Sequence, residues 1–156
     1  MGLEKIMKIY EKSKIEDYRL GTELPLDLVN FKISIDDINA FCGFLPEILQ
    51  EKYETYLARY LTTLIQKCNS KKIILNLPIP LNDIGYRLED KKIIVNGSVG
   101  NLAFMYARNS SAEINGNVGD LLGYIADGCS FIVVNGDIRK NPLKNARNCK
   151  LEFIKN

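Results

Sequence analysis

The chain has 156 residues, a net charge of +2 and no histidine. So small a charge argues against a nucleic-acid-binding surface. Without histidine, the chain cannot form Ser-His or Cys-His nucleophile pairs or histidine-ligated metal sites, and its four cysteines contain no CxxC zinc pair. The composition therefore predicts no catalytic residues, no cofactor and no metal, and it makes enzymatic activity the less favoured interpretation.

The apolar pattern also bears on location. No apolar run approaches 18 residues, so no membrane-spanning helix is expected. The first 12 residues mix charged and apolar side chains and lack the apolar core of a signal peptide. We therefore expect a cytoplasmic globular protein that binds neither membranes nor nucleic acid.

Residues 1–70 are predicted to form a helical cap with one short strand. Apolar residues recur at helical spacing within residues 1–20, which predicts a helix. Strict alternation of apolar and polar residues through residues 29–35 predicts the strand. Ser34 stands three residues before Asp37, a spacing typical of a capped helix start.

A longer helix is predicted over residues 46–68, because Pro46 favours a first helical position and apolar residues follow at helical spacing. Tyr53, Tyr56 and Tyr60 share one face of this helix. We interpret that face as packed against the rest of the protein. The alternative left open is a ligand groove, lined by these tyrosines, between the helix and the segment that follows.

From Lys72 onward the sequence repeats about every 20 residues. The units are 72–90, 92–110, 111–129 and 130–148, with a partial fifth at the end. A unit this short cannot bury its own apolar face, so it stacks on its neighbours as one coil of a solenoid. Residues 71–156 are therefore predicted to form a β-helix of about four coils. Coils of 19–20 residues do not divide by six, which disfavours a left-handed hexapeptide helix.

Aligning the units on their asparagines gives columns of equivalent residues. Two aliphatic columns are predicted to face the core: Ile73, Ile93, Ala112 and Ile132, and then Leu75, Val95, Ile114, Val134 and Ile154. Between coil segments, asparagines and glycines are interpreted as corner residues, the glycines for positive φ angles. These predicted turn residues are Asn96, Gly97, Gly100, Asn115, Gly116, Gly119, Gly123, Gly128, Asn135 and Gly136.

One coil carries a family resemblance. Gly116, Gly119, Gly123 and Gly128, followed by the β-run of residues 132–136, resemble the GXGXG repeats found in the C-terminal domain of the glutamate synthase large subunit and in one of the subunits of formylmethanofuran dehydrogenases. The resemblance covers roughly residues 72–156. It implies a right-handed parallel β-helix that serves as a structural element, contacts other subunits and has no catalytic residues.

The favoured functional interpretation is a non-catalytic scaffold or interaction module, either one component of a cytoplasmic complex or a homo-oligomer. Its predicted contact edge is Leu151, Phe153 and Ile154 in the partial fifth coil. The alternatives are an accessory subunit of a glutamate synthase- or formylmethanofuran dehydrogenase-like redox enzyme, or a small-ligand binder that uses the groove beside helix 46–68.

Two further groups have a structural and a functional interpretation. Cys129 and Cys149 lie 20 residues apart and are expected to stack on adjacent coils as thiols rather than as a disulfide. A modest basic patch is interpreted as a solvated surface rather than an anion site. Its residues are Arg108, Arg139, Lys140, Lys144 and Arg147.

Overall fold

A computed structural model describes residues 2–16, 26–49 and 54–156. Its helical part precedes all of its strands. The helices are α1 (Gly2–Glu16), a 3-10 helix (Leu26–Leu28), α2 (Ile35–Cys42), α3 (Leu45–Ile48) and α4 (Glu54–Lys67). The strands are β1 (Lys72–Asn76), β2 (Lys92–Asn96), β3 (Ser111–Asn115), β4 (Ser130–Val134) and β5 (Lys150–Ile154). None of the described helices has the length and apolarity that crossing a bilayer requires.

The five strands form one parallel sheet in the order β1-β2-β3-β4-β5. Each strand therefore lies beside the equivalent strand of the next unit, as the repeat predicts. Lys72 pairs with Lys92, and Lys92 pairs with Ser111. A second row of backbone bridges joins Val99 to Val118 and Val118 to Ile138. The fold is a short β-solenoid of about four coils with helices at its N-terminal end, which confirms the predicted fold class.

The predicted inward columns are correct through the third coil and wrong in the fourth and in the partial fifth, where Ile154 pairs with Val134 and is exposed. Phe131 pairs with Ala112 and Val133 pairs with Ile114, so Phe131 and Val133 are the buried residues. Ile132 and Val134, predicted to face inward, are only partly buried. The fourth unit carries one extra residue before its glycine. It is accommodated by a bulge-like bend at Asn135, whose φ is 54°.

The segments that connect successive strands have an unusual backbone that the repeat does not predict. At equivalent positions of successive coils, φ is positive even for bulky residues, for example Leu102, Leu121 and Ile125. Left-handed backbone costs such residues roughly 1–2 kcal/mol each. It alternates the direction of the N–H groups: Gly100 donates back to Leu81, while Leu102 donates forward to Asp120. The alternation bonds each coil to both neighbours and so offsets the strain.

The short helix begins as predicted. The Ser34 hydroxyl accepts from the Asp37 N–H at 3.0 Å, and the Asp37 carboxylate accepts from the Ser34 N–H at 3.1 Å, so both halves of the capping box are present. The strand predicted over residues 29–35 is wrong. Residues 29–34 form no strand, although Val29 and Ile33 are buried. The alternation therefore reflects burial of Val29 and Ile33 in the core and not pairing with another strand.

The predicted helix over 46–68 is interrupted. Helix α3 ends at Ile48, with Leu49 as its C-terminal cap, and α4 is described from Glu54. The rings on α4 face the helical core. Tyr60 lies 5.4 Å from Tyr10 and 5.7 Å from Phe41 between ring centroids, and its hydroxyl donates to the Ile6 carbonyl at 2.7 Å.

Side chains of the helices form hydrogen bonds with the backbone of the first coil, at positions where the backbone of a preceding coil would otherwise bond. The Asn39 amide bonds Ile74 and Asn76 of β1, and the Gln66 amide bonds both polar backbone groups of Glu89. Thr62 accepts from the Gly85 N–H at 2.9 Å. Because unpaired strand edges invite aggregation, this arrangement makes the helical part a cap.

A row of side-chain oxygens continues this pairing along the solenoid. Each oxygen accepts a backbone N–H from the next coil. The row runs from Glu54 to the N–H of Asn82, from Asn82 to Asn101, from Asn101 to Asp120 and from Asp120 to Lys140, at 2.7–3.0 Å. We call these residues the acceptor row.

Candidate functional site

The open end of the solenoid is the first candidate site. Strand β5 pairs with β4, and within the described residues no strand lies on its other side. Leu151 is half-buried, whereas Phe153 and Ile154 are 52% and 42% exposed. Phe153 pairs with Val133 and therefore continues the inward column at the last strand. The three predicted edge residues thus lie together on a strand whose outer edge has no partner strand among the described residues.

Backbone donors also point out of this end. In the third coil, the N–H groups of Leu121, Ile125 and Gly128 donate to Lys140, Lys144 and Arg147 of the fourth coil. The equivalent fourth-coil residues, Asn141, Asn145 and Asn148, have the same left-handed backbone. Their N–H groups donate to none of the described residues.

Charge distinguishes the terminal coil from the rest of the chain. Residues 130–156 contain six basic and two acidic side chains, whereas residues 1–129 contain 15 basic and 17 acidic ones. Two of the basic side chains have acidic neighbours: Arg139 lies 3.9 Å from Asp120, and Lys155 lies 3.7 Å from Asp137. The open end therefore combines cationic side chains, backbone donors and an exposed apolar edge.

The predicted turn glycines are brought into columns, for two different reasons. Gly97, Gly123 and Gly128 have positive φ angles, as expected. The other predicted positions, Gly100, Gly116, Gly119 and Gly136, do not. At Gly116, a β-carbon would lie 2.5 Å from the carbonyl oxygen of Gly97, so the coils can approach only where no side chain intervenes. The glycines are structural.

The asparagine column forms a hydrogen-bonded ladder over three coils. The Asn96 amide donates to Asn76 at 3.0 Å, and the Asn115 amide donates to Asn96 at 3.2 Å. Asn135 leaves the ladder because of the extra residue in the fourth unit, and it accepts instead from the Asn156 N–H at 2.8 Å. These asparagines bond one another and the backbone.

The predicted tyrosine groove is not formed by the residues that can be placed. Tyr56 and Tyr60 are 3% and 0% exposed and pack against Tyr10 of α1. Both rings are buried in the helical core, so neither of them lines a groove. Tyr53 lies outside the described residues.

Cys129 and Cys149 stack on adjacent coils as free thiols. The Cys149 sulfur accepts from the Cys129 N–H at 3.4 Å and lies 3.2 Å from the Arg147 carbonyl, to which it donates. Ser110, two coils before Cys149 in the same column, makes the same two kinds of bond. Burial raises the pKa of the Cys129 thiol to about 11, so the pair has the character of a structural column.

A second candidate site is a concave surface that the sequence pattern alone does not reveal. It is a cleft of about 430 Å³ lined by Arg87, Tyr106, Arg108, Ile125, Ala126, Asp127, Asn145 and Arg147. We call it the arginine cleft. The sequence pattern groups Arg108 and Arg147 with solvated basic residues and omits Arg87. The spacing of 19–20 residues between equivalent positions of neighbouring coils is the signal that could have grouped these arginines in one surface.

Comparisons with protein-family models, with curated proteins and with solved structures found no match to this chain. The resemblance to GXGXG repeats and the suggested place in a redox complex therefore stay predictions. Among the residues that the structure places, no three cysteine, aspartate or glutamate side chains are grouped so that they could hold a metal ion.

Proposed function

We propose that this chain is a non-catalytic interaction module that binds an acidic, extended segment of a partner protein at the open end of its solenoid. The observation that carries the proposal is the exposed β5 edge at Phe153 and Ile154. An extended segment can add to such an edge through backbone hydrogen bonds and place alternate side chains over Leu151 and Phe153.

Charge favours an acidic partner over a second copy of the chain. Two copies that met at their open ends would bring together two terminal coils with six basic and two acidic side chains each. Like charges across an interface oppose association, whereas opposite charges speed encounter and fix register. The outward N–H groups of Asn141, Asn145 and Asn148 would also suit carboxylate acceptors.

The test compares two lysines at equivalent positions of the coil. Lys150 begins β5 at the open end, and Lys92 begins β2 in the interior of the sheet. Both side chains are exposed, so each substitution by glutamate should preserve the fold. Partners captured by the wild-type chain would be identified by mass spectrometry and then titrated individually with purified Lys150→Glu and Lys92→Glu variants.

The expected result is an acidic partner whose affinity falls about tenfold or more with Lys150→Glu and little with Lys92→Glu. Amide exchange at residues 150–154 should slow in that complex. Equal loss in both variants, or binding that leaves β5 exchange unchanged, would contradict the proposal. Self-association that depends on Lys150 would replace the acidic partner with a second copy.

A further inference from the structure

The arginine cleft has the composition of an anion-binding site. Its lining contains three arginines and one carboxylate, that of Asp127, while Glu89 bridges to Arg108 from the preceding coil and does not line the cleft. No described acidic side chain lies within ion-pair distance of Arg87, Arg108 or Arg147. Three cations against one carboxylate leave an excess of two positive charges, which favours a dianion.

The solenoid fixes where these side chains start. Arg108 bridges to Asp127, and Asp127 bridges to Arg147, on successive coils. Neighbouring strands lie about 4.8 Å apart, so the two arginines begin roughly 10 Å apart with the carboxylate between them. The Asp127 carboxylate also accepts from the Asn148 amide at 3.5 Å. The arginines thus flank the cleft from two separate coils.

Arg87 is held in place by aromatic rings. Its guanidinium carbon lies 4.9 Å from the centroid of the Tyr106 ring and 5.6 Å from that of Tyr86, and its Nε donates to the Tyr86 hydroxyl at 3.2 Å. The two rings meet edge to face at 6.0 Å. Stacking of this kind orders a guanidinium before any ligand arrives and lowers the entropy lost on binding.

The cleft also has apolar lining groups, and it is larger than an inorganic anion requires. Tyr106, Ile125 and Ala126 contribute these groups. A volume of about 430 Å³ falls within the range of small-molecule sites. The guanidinium fork matches the oxygens of phosphate in bidentate geometry. The arrangement therefore suits a phosphate group that carries a small apolar or planar body.

We propose that the arginine cleft binds a small organic phosphate, with Arg108 and Arg147 gripping the phosphate and Tyr106 and Ile125 contacting the organic part. This site does not use the β5 edge and does not depend on the proposed protein partner, although Asn145 belongs both to the cleft and to the open end.

The probe is phenyl phosphate, titrated at constant ionic strength and followed by amide shifts in two-dimensional NMR. Benzenesulfonate, which has the same ring and one negative charge, is the matched ligand control. We expect saturable shifts centred on Tyr106, Ile125 and Asn145, and weaker binding of the sulfonate. Arg108→Gln and Arg147→Gln should each weaken phenyl phosphate binding about tenfold, the usual size of a charge-assisted hydrogen bond.

Arg139→Gln is the control variant, because Arg139 is exposed, lies beside Asp120 and does not line the cleft. It should leave the dissociation constant unchanged. The proposal is overturned if Arg139→Gln weakens binding as much as Arg108→Gln does, if shifts spread over all basic surfaces, or if no saturable binding occurs at millimolar phenyl phosphate.

Discussion

The side chain of Asn39 bonds the β1 backbone on both sides of Leu75: it donates to the Ile74 carbonyl at 2.8 Å and accepts from the Asn76 N–H at 2.8 Å. A single amide on α2 thus pairs with the first strand as one residue of a neighbouring strand would. Gln66 on α4 repeats the device at Glu89. The contact between helices and solenoid is therefore made by matched hydrogen bonds as well as by apolar packing.

Replacing Asn39 by alanine should lower the free energy of unfolding by about 1–2 kcal/mol, because two backbone groups of β1 lose their partner. Gln66→Ala should have a similar effect at the other contact. Asn69→Ala, at an exposed asparagine outside both contacts, should change stability little. Denaturant unfolding measures all three, and equal midpoints for Asn39→Ala and Asn69→Ala would contradict the capping role.

The two kinds of glycine should respond differently to substitution. Gly128→Ala should cost about 1–2 kcal/mol because φ is 68°, and Gly128→Asn should cost less, since Asn109 and Asn148 occupy equivalent positions with positive φ. Gly116→Ala should cost about 3 kcal/mol because the new methyl group meets the Gly97 backbone. Gly116→Asn should give no rescue. Unfolding free energies that rank the two alanine variants equally would refute this distinction.

Asp83 should make stability depend on pH. Burial raises the pKa of its carboxyl, and Arg59 and Thr55 oppose that rise only in part. Its Oδ1 has no hydrogen-bond partner among the described residues. The folded state therefore holds the proton more tightly than the unfolded state does. Stability from this group is fully present below its ordinary pKa and is lost as pH rises through the raised value.

Asp83→Asn should accordingly be about 1 kcal/mol more stable than the wild type at pH 7, with a smaller difference near pH 4. Asp90→Asn is the control, since Asp90 has the same left-handed backbone but is exposed. It should change stability little, because Asp90 is exposed. Thermal unfolding at several pH values checks both variants, and a pH-independent gain for Asp83→Asn would exclude the burial explanation.

The four thiols should differ in reactivity. Burial raises the pKa of Cys42 to about 12 and that of Cys129 to about 11, so at pH 8 roughly one Cys129 in a thousand is a thiolate. Cys149 is partly exposed. Iodoacetamide at pH 8 should modify Cys149 first, as read by peptide mass spectrometry, while the denatured chain reacts at all four sites. Faster labelling of Cys129 than of Cys149 would show that the terminal coil opens readily.

The repeat makes the solenoid predictable because stacking demands the same residue type at the same position of every coil. Prediction from the repeat fails where one coil differs in length. An alignment on the asparagine of the Asn-Gly pair places the fourth unit one residue out of register. In the structure Ser130 pairs with Ser111, and the extra residue is accommodated by the left-handed backbone at Asn135. Alternation in residues 29–35 misleads for a related reason, since burial of Val29 and Ile33 does not supply a partner strand.

The arginine cleft and the left-handed backbone are harder to predict. Leu121 and Ile125 disfavour positive φ by themselves, and only hydrogen bonds to the coils on both sides impose it. Likewise, Arg87 and Arg147 lie 60 residues apart in sequence, and both line one cleft because three coils, one of them with an extra residue, separate them along the chain.

The acceptor row makes the solenoid extensible by whole coils. The side-chain oxygens of Asn82, Asn101 and Asp120 each accept a backbone N–H from the coil that follows. Each coil therefore offers the next coil an acceptor of the kind to which its own backbone donates in the coil before. A duplicated third unit, residues 111–129, would find a matching acceptor below it and offer one above. Gene duplication could lengthen this protein in steps of one coil without redesign of the helical cap, with each added step stabilised only by its nearest neighbours.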